Sequence, residues 1–134
     1  MNNLFENDDY CFVCGKSNPI GLKARIWNRE GKALIDIKIP REYQGYRGVI
    51  HGGILSTLLD EAMIYAASSI SAKAVTAKIE VKFLKPVLCE REIVVMGEVV
   101  KKKKNWVIAE GRIQYKGEKE DLCKGQALIK IWEA

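Results

Sequence analysis

The sequence predicts an α+β domain in which one long helix packs against an antiparallel sheet. Three observations carry this. Six segments alternate apolar and polar residues with the period of a strand. One segment, beginning near residue 52, repeats its apolar residues at helical spacing instead. The strand-like segments are joined mostly by tight turns, which favours antiparallel pairing.

The elements follow in order. Residues 1–20 form an acidic and polar N-terminal extension that opens "MNNLFENDDY". In 22–30, Leu22, Ala24 and Ile26 alternate with Lys23, Arg25 and Trp27; after "EGK" the alternation resumes as Ile35, Ile37 and Ile39 and ends at Pro40. These two strands read as a hairpin. Glycine-rich turns over 41–50 lead into the helix. From 75, Val75, Ala77, Ile79, Val81 and Phe83 alternate with Thr76, Lys78, Glu80 and Lys82, which places Thr76 on the polar face. Two long strands at 92–101 and 106–116 flank "KKKKN", and a last strand spans 122–132.

Composition bounds the function. The 134 residues suit one domain, 1–134, and the 48% hydrophobic and 29% charged content is that of an ordinary globular protein. No apolar run approaches the ~20 residues of a membrane span, and the start lacks the basic and apolar regions of a secretory signal. A cytoplasmic protein without a membrane partner is the expectation. The net charge of +5 suits an anionic ligand but is too small to imply a nucleic acid. Lys101 to Lys104 read most simply as a solvated hairpin tip, with phosphate binding as the alternative. Cys11, Cys14, Cys89 and Cys123 make no disulfide framework, and a single Cys-x-x-Cys pair without a second close pair argues against a metal site. No cofactor is expected.

The helix is unusual on its far side. At ~100° per residue, one half carries Ile54, Leu55, Leu58, Leu59, Ala62, Met63, Tyr65, Ala66 and Ile70, a core face. The other half carries Ser56, Thr57, Asp60, Glu61, Ile64, Ala67 and Ser68: two acids among small, uncharged residues, where an exposed face would be painted with charge. Both faces should therefore be covered, the second by another subunit. A carboxylate at Asp60 on a covered face is costly unless it is paired or functional.

The helix starts "HGG" with no Ser, Thr, Asp or Asn at 50–53 to cap it, so the first amides are unclaimed on sequence grounds. An open helix start with glycines at the positive end of the dipole can stabilise a developing oxyanion; equally, Gly52 and Gly53 can be no more than a permissive start. Gly52 and Asp60 lie eight residues apart, ~12 Å along one helix at 1.5 Å per residue. If they act together they must come from two chains.

The segment "HGGILSTLLDEA" (51–62), preceded by "YQGYRGVI" (43–50) and followed by "TAKIEVKFLKPV" (76–87), resembles the hotdog-fold acyl-CoA thioesterases, in particular their phenylacetic-acid-degradation type branch. The opening "CFVCGKSNPIGL" (11–22) is similar to the N-terminal segment of that branch. The resemblance implies a hotdog fold, a curved sheet of about six strands wrapped around the helix, assembled as a homodimer or a homotetramer built as a dimer of dimers. It implies hydrolysis of an acyl-CoA, with coenzyme A as part of the substrate and no other cofactor. Asp60 matches the family's carboxylate, acting as general base or as nucleophile. Gly52 of the partner subunit matches the amide that polarises the carbonyl, and Thr76 the hydroxyl that helps hold water. A subgroup asparagine of the family aligns with Gly45, so its role is empty here or passes to Gln44; His51 reads as a loop-ordering or substrate-contacting residue beside Gly53, Arg47 as a candidate for the coenzyme A phosphates with plain surface charge as the alternative, and Glu61 as structural. Two readings from other classes remain: a non-catalytic acyl-CoA sensor, and hydratase chemistry, for which the sole histidine is poorly placed.

Overall fold

The structure, a computed structural model, describes residues 6–71 and 73–132. Strands β1 (Arg25–Arg29) and β2 (Lys32–Ile37) form the first hairpin, and a 3-10 turn at Arg41–Tyr43 leads to helix α1 (Gly52–Ser68). Strands β3 (Ala74–Phe83), β4 (Ile93–Lys102), β5 (Trp106–Tyr115) and β6 (Cys123–Ile131) follow. The order across the sheet is β1-β2-β4-β5-β6-β3, and every pairing is antiparallel. This is the α+β hotdog arrangement, one helix wrapped by a curved six-stranded sheet. Among the described residues no helix is long and apolar enough to cross a membrane.

Alternation decides which face of the sheet meets the helix. Ile93, Val95, Val107, Ala109, Ile113, Cys123, Ala127 and Ile129 point inward and are buried, against Leu55, Leu58, Leu59, Ala62 and Met63 of α1. Each such large side chain taken from water contributes about 1.5–3 kcal/mol before the entropy of ordering it is set against that gain. The helix sits low because three cross-strand neighbours, Gly97, Gly111 and Gly125, lie beneath it. A Cβ on Gly97 would stand 2.4 Å from the Ala62 carbonyl oxygen, so only glycine permits this approach.

Two expectations change here. Register slips between Thr76 and Lys78, where β3 bulges against β6. The bulge consumes Ala77, so Thr76 opposite Ile129 and Ile79 opposite Ala127 both face the helix; the simple alternation put Thr76 outside. The second change concerns the helix's far side. Part of it is covered within the chain, by residues 11–24: the Leu22 and Ala24 N–H groups donate to the Phe12 and Val13 carbonyls, and Val13 joins the core. What stays open is the edge of β3, paired only with β6 and carrying Ile79 at 37% and Phe83 at 55% exposure.

Candidate active site

Helix α1 is capped after all, by a residue outside the usual capping set. His51 stands at the N-cap and its Nδ1 accepts from the Gly53 N–H at 2.8 Å, while the His51 carbonyl accepts from Ile54 and Leu55. With Nδ1 occupied as an acceptor, the ring carries its proton on Nε2. The cap also divides the two glycines. Gly53 has its amide engaged by His51, whereas the Gly52 N–H meets no acceptor among the described residues.

That free amide opens onto a cleft of about 660 Å³ lined by Tyr46, Gly52, Leu55, Phe83, Leu84 and Pro86, among others. The Phe83 ring lies 3.4 Å from where a Gly52 Cβ would be, so it forms one wall. Met63 is wholly buried beneath the helix and does not reach this cleft. A larger hollow, about 1250 Å³, lies over the outer face of the sheet beside Trp27, Leu34 and Met96, away from both Asp60 and the helix start.

The loop before the helix is self-supporting. Gln44 Oε1 accepts from the Gly48 N–H at 3.0 Å, and Gly45 N–H donates to the Val49 carbonyl, so Gln44 orders the turn that leads to His51. Arg47 is exposed on that turn. Lys101 and Lys102 continue β4, Lys103 and Lys104 form the exposed tip, and the Lys103 N–H donates to the Trp106 carbonyl.

Two helical turns further on, the adjacent acids have different neighbours. Asp60 is half-buried, and its Oδ1 accepts from the Thr76 hydroxyl at 2.6 Å. The β3 bulge is what delivers that hydroxyl. Glu61, about 100° around the helix, turns to the N-terminal segment, where Cys11 Sγ lies 3.5 Å from its Oε2. Tyr65, one turn on, places its hydroxyl 3.1 Å from Cys14 Sγ. Burial pushes the Glu61 carboxyl above its ordinary range, a rise that the Asp60 charge adds to and the two thiol contacts partly oppose. Burial likewise pushes the Cys14 thiol up to about 12. The remaining hydroxyls of the far face are satisfied locally: Ser56, Thr57 and Ser68 donate to the carbonyls four residues back, leaving a surface without stray donors.

Residues 47–121, more than half of the chain, match the thioesterase superfamily. The chain belongs to that superfamily. It has the hotdog fold. Among curated proteins it is 31% identical over 70 residues to an uncharacterised protein of Schizosaccharomyces pombe, a match covering 49% of this chain and 40% of that one. Among solved structures, the Escherichia coli PaaI protein of the phenylacetic acid degradation operon superposes with a TM-score of 0.77 at 21% identity, over 84% of this chain and 81% of that one. A hypothetical thioesterase of Streptococcus pneumoniae, crystallised with coenzyme A, superposes at 0.76 and 22% identity, over 81% and 85%.

Proposed function

We propose that this thioesterase hydrolyses an acyl-CoA to the free acid and coenzyme A, in sites that each combine Gly52 of one subunit with Asp60 of another. The observation that carries the reading is the Thr76 to Asp60 hydrogen bond. A hydroxyl donating at 2.6 Å fixes the carboxylate rotamer and engages Oδ1 only, which leaves Oδ2 to act.

Asp60 then serves either as general base on water or as nucleophile through an anhydride. In the first route water adds to the thioester carbonyl, Oδ2 takes its proton, and the C–S bond breaks to release the thiolate of coenzyme A. The unclaimed Gly52 N–H at the positive end of α1 stabilises the charge that builds on the carbonyl oxygen. His51 holds the amide pair in place instead of exchanging protons. Because Gly52 and Asp60 lie ~12 Å apart on one rigid helix, the pairing needs a second copy, and the open β3 edge with its apolar Ile79 and Phe83 is where that copy would join. The coenzyme A seen with the pneumococcal relative supports the substrate class. Gln44, Arg47 and Gly53 are assigned to shaping the mouth of the site.

The test uses an unusual opportunity. Gly52 is the first helical residue, where proline is tolerated, and His51 already has φ −58 and ψ 135, a backbone suited to precede proline. Gly52→Pro thus deletes the one N–H while keeping the helix. Purified wild type should release thiol from some member of an acyl-CoA panel, and Gly52→Pro and Asp60→Asn should each lose about 10²–10³-fold. Refolded as a 1:1 mixture, the two inactive variants should regain roughly a quarter of wild-type activity, since half the dimers are mixed and each mixed dimer has one intact site. No recovery would place both groups in one subunit's site; binding of acyl-CoA without thiol release would make the protein a non-catalytic sensor.

A further inference from the structure

The spacing of the cysteines argues against a metal, because Cys11 and Cys14 lack a second close pair. The fold supplies a third ligand from fifty residues away. We propose that Cys11, Cys14 and Glu61 form a structural zinc site that fastens the N-terminal segment to helix α1.

The donor atoms are already gathered. One ligand atom from each of the three residues lies within 4.8 Å of the others, and Cys11 Sγ is 3.5 Å from Glu61 Oε2. Zinc bonds of ~2.3 Å to sulfur and ~2.1 Å to a carboxylate, set at a tetrahedral angle, put those two atoms about 3.6 Å apart. The observed separation needs almost no adjustment.

The loop that carries the thiols is built as a rigid knuckle. Val13 N–H donates to Cys11 Sγ at 3.4 Å, and the Gly15 N–H closes the turn on the Cys11 carbonyl at 2.9 Å. A side chain at Gly15 would stand 2.4 Å from the Cys11 nitrogen, so the turn requires glycine after the second cysteine. Asp9 braces the same loop, its carboxylate accepting from the Lys16 N–H at 3.0 Å and the Ser17 hydroxyl at 2.9 Å. Nothing in the thioesterase chemistry uses this construction. All three ligands are half-buried, open enough for an ion to enter.

Two thiolates and one carboxylate suit zinc by softness and leave a fourth position for water, while the Tyr65 hydroxyl packs on Cys14 Sγ at 3.1 Å. Binding releases one proton from each thiol and involves no redox change. Its consequence is mechanical. The ion would clip residues 11–24 to the helix at the residue next to Asp60, closing a loop between residues 11 and 61.

Cobalt titration of the reduced, metal-free full-length protein tests this. One Co²⁺ per chain should bind with sulfur-to-cobalt charge-transfer and tetrahedral d–d absorption, and Zn²⁺ should displace it. Cys11→Ser and Cys14→Ser should abolish the charge-transfer band, Glu61→Gln should shift the d–d bands and weaken binding beyond the ~10–100-fold typical of residues that only orient a ligand, and Cys89→Ser should change nothing. Should a cysteine variant not fold, alkylation of wild type followed by mass spectrometry reads the same site: zinc should protect Cys11 and Cys14 and leave Cys89 reactive. Absence of the charge-transfer band, its survival in either Cys11→Ser or Cys14→Ser, unshifted d–d bands in Glu61→Gln, or equal alkylation with and without zinc overturns the proposal.

Discussion

Asp60 and Glu61 are adjacent acids on one helix, and the fold treats them in opposite ways. Asp60 meets a hydroxyl donor from β3 and keeps one oxygen uncommitted beside an open strand edge. Glu61 meets two thiols from the N-terminal segment in a half-buried pocket whose desolvation raises its affinity for a proton. A carboxylate with one oxygen fixed by a hydroxyl and the other free is equipped for proton transfer or attack, whereas one desolvated among sulfurs is equipped for structure or for a metal. Identity of residue type carries little information here; the segment that each side chain faces decides its role.

The sharpest way to break this contrast is to exchange amide for acid at each position. Asp60→Asn should lower kcat by about 10³-fold with the fold retained, while Glu61→Gln should change kcat by no more than a few-fold. A dead Glu61→Gln with an active Asp60→Asn would reverse the assignment. Steady-state thiol release, with circular dichroism as the folding control, decides it.

Next in size is a change that should disturb both acids together. Gly97→Ala forces a Cβ into the Ala62 carbonyl, so the helix must lift from the sheet. Overpacking of this kind costs about 1–3 kcal/mol, read as a lower midpoint of denaturant unfolding. Gly117→Ala, at a turn with nothing within 4 Å, is the control for an added methyl alone; its φ of +83 should cost less than the Gly97 clash.

Thr76 separates the two acids more gently. Thr76→Ala should lower kcat about tenfold, the effect of losing one hydrogen bond of ~1.4 kcal/mol to a charged group, and Thr76→Ser should restore most of it. Equal rates in all three proteins would reduce the Thr76 contact to a packing detail.

The smallest expected effect is a pH dependence confined to Glu61. Its folded pKa lies above the ordinary 4.5, so in chelator-treated protein the native state holds the proton more tightly than the unfolded chain. The stabilisation is complete below 4.5 and is lost as pH rises through the raised folded value. Glu61→Gln should abolish this loss, so the stability gap between wild type and variant, measured by urea unfolding, should widen in the variant's favour as pH increases. A gap independent of pH would show that burial at Glu61 has no thermodynamic weight.

The elements and their order are legible in the residue pattern, because strand and helix periods are written locally in Ile93, Val95, Val107 and Ile129 and in the Leu55 to Met63 stripe. The residue spacing also determined that Gly52 and Asp60 cannot meet within one chain, since helical rise is fixed by backbone geometry. Tertiary structure alone decided which side chains face each other. A single bulge at Ala77, which leaves no mark on the alternation of apolar residues, turned Thr76 toward Asp60. His51 as a cap was illegible because imidazole is not a usual capping group, and the deep seat of the helix depended on Gly97, Gly111 and Gly125 aligning across three strands. The cluster of Cys11, Cys14 and Glu61 joins residues fifty positions apart, and no spacing rule reaches that far. Local periodicity is a property of the chain, whereas facing and proximity are properties of its packing.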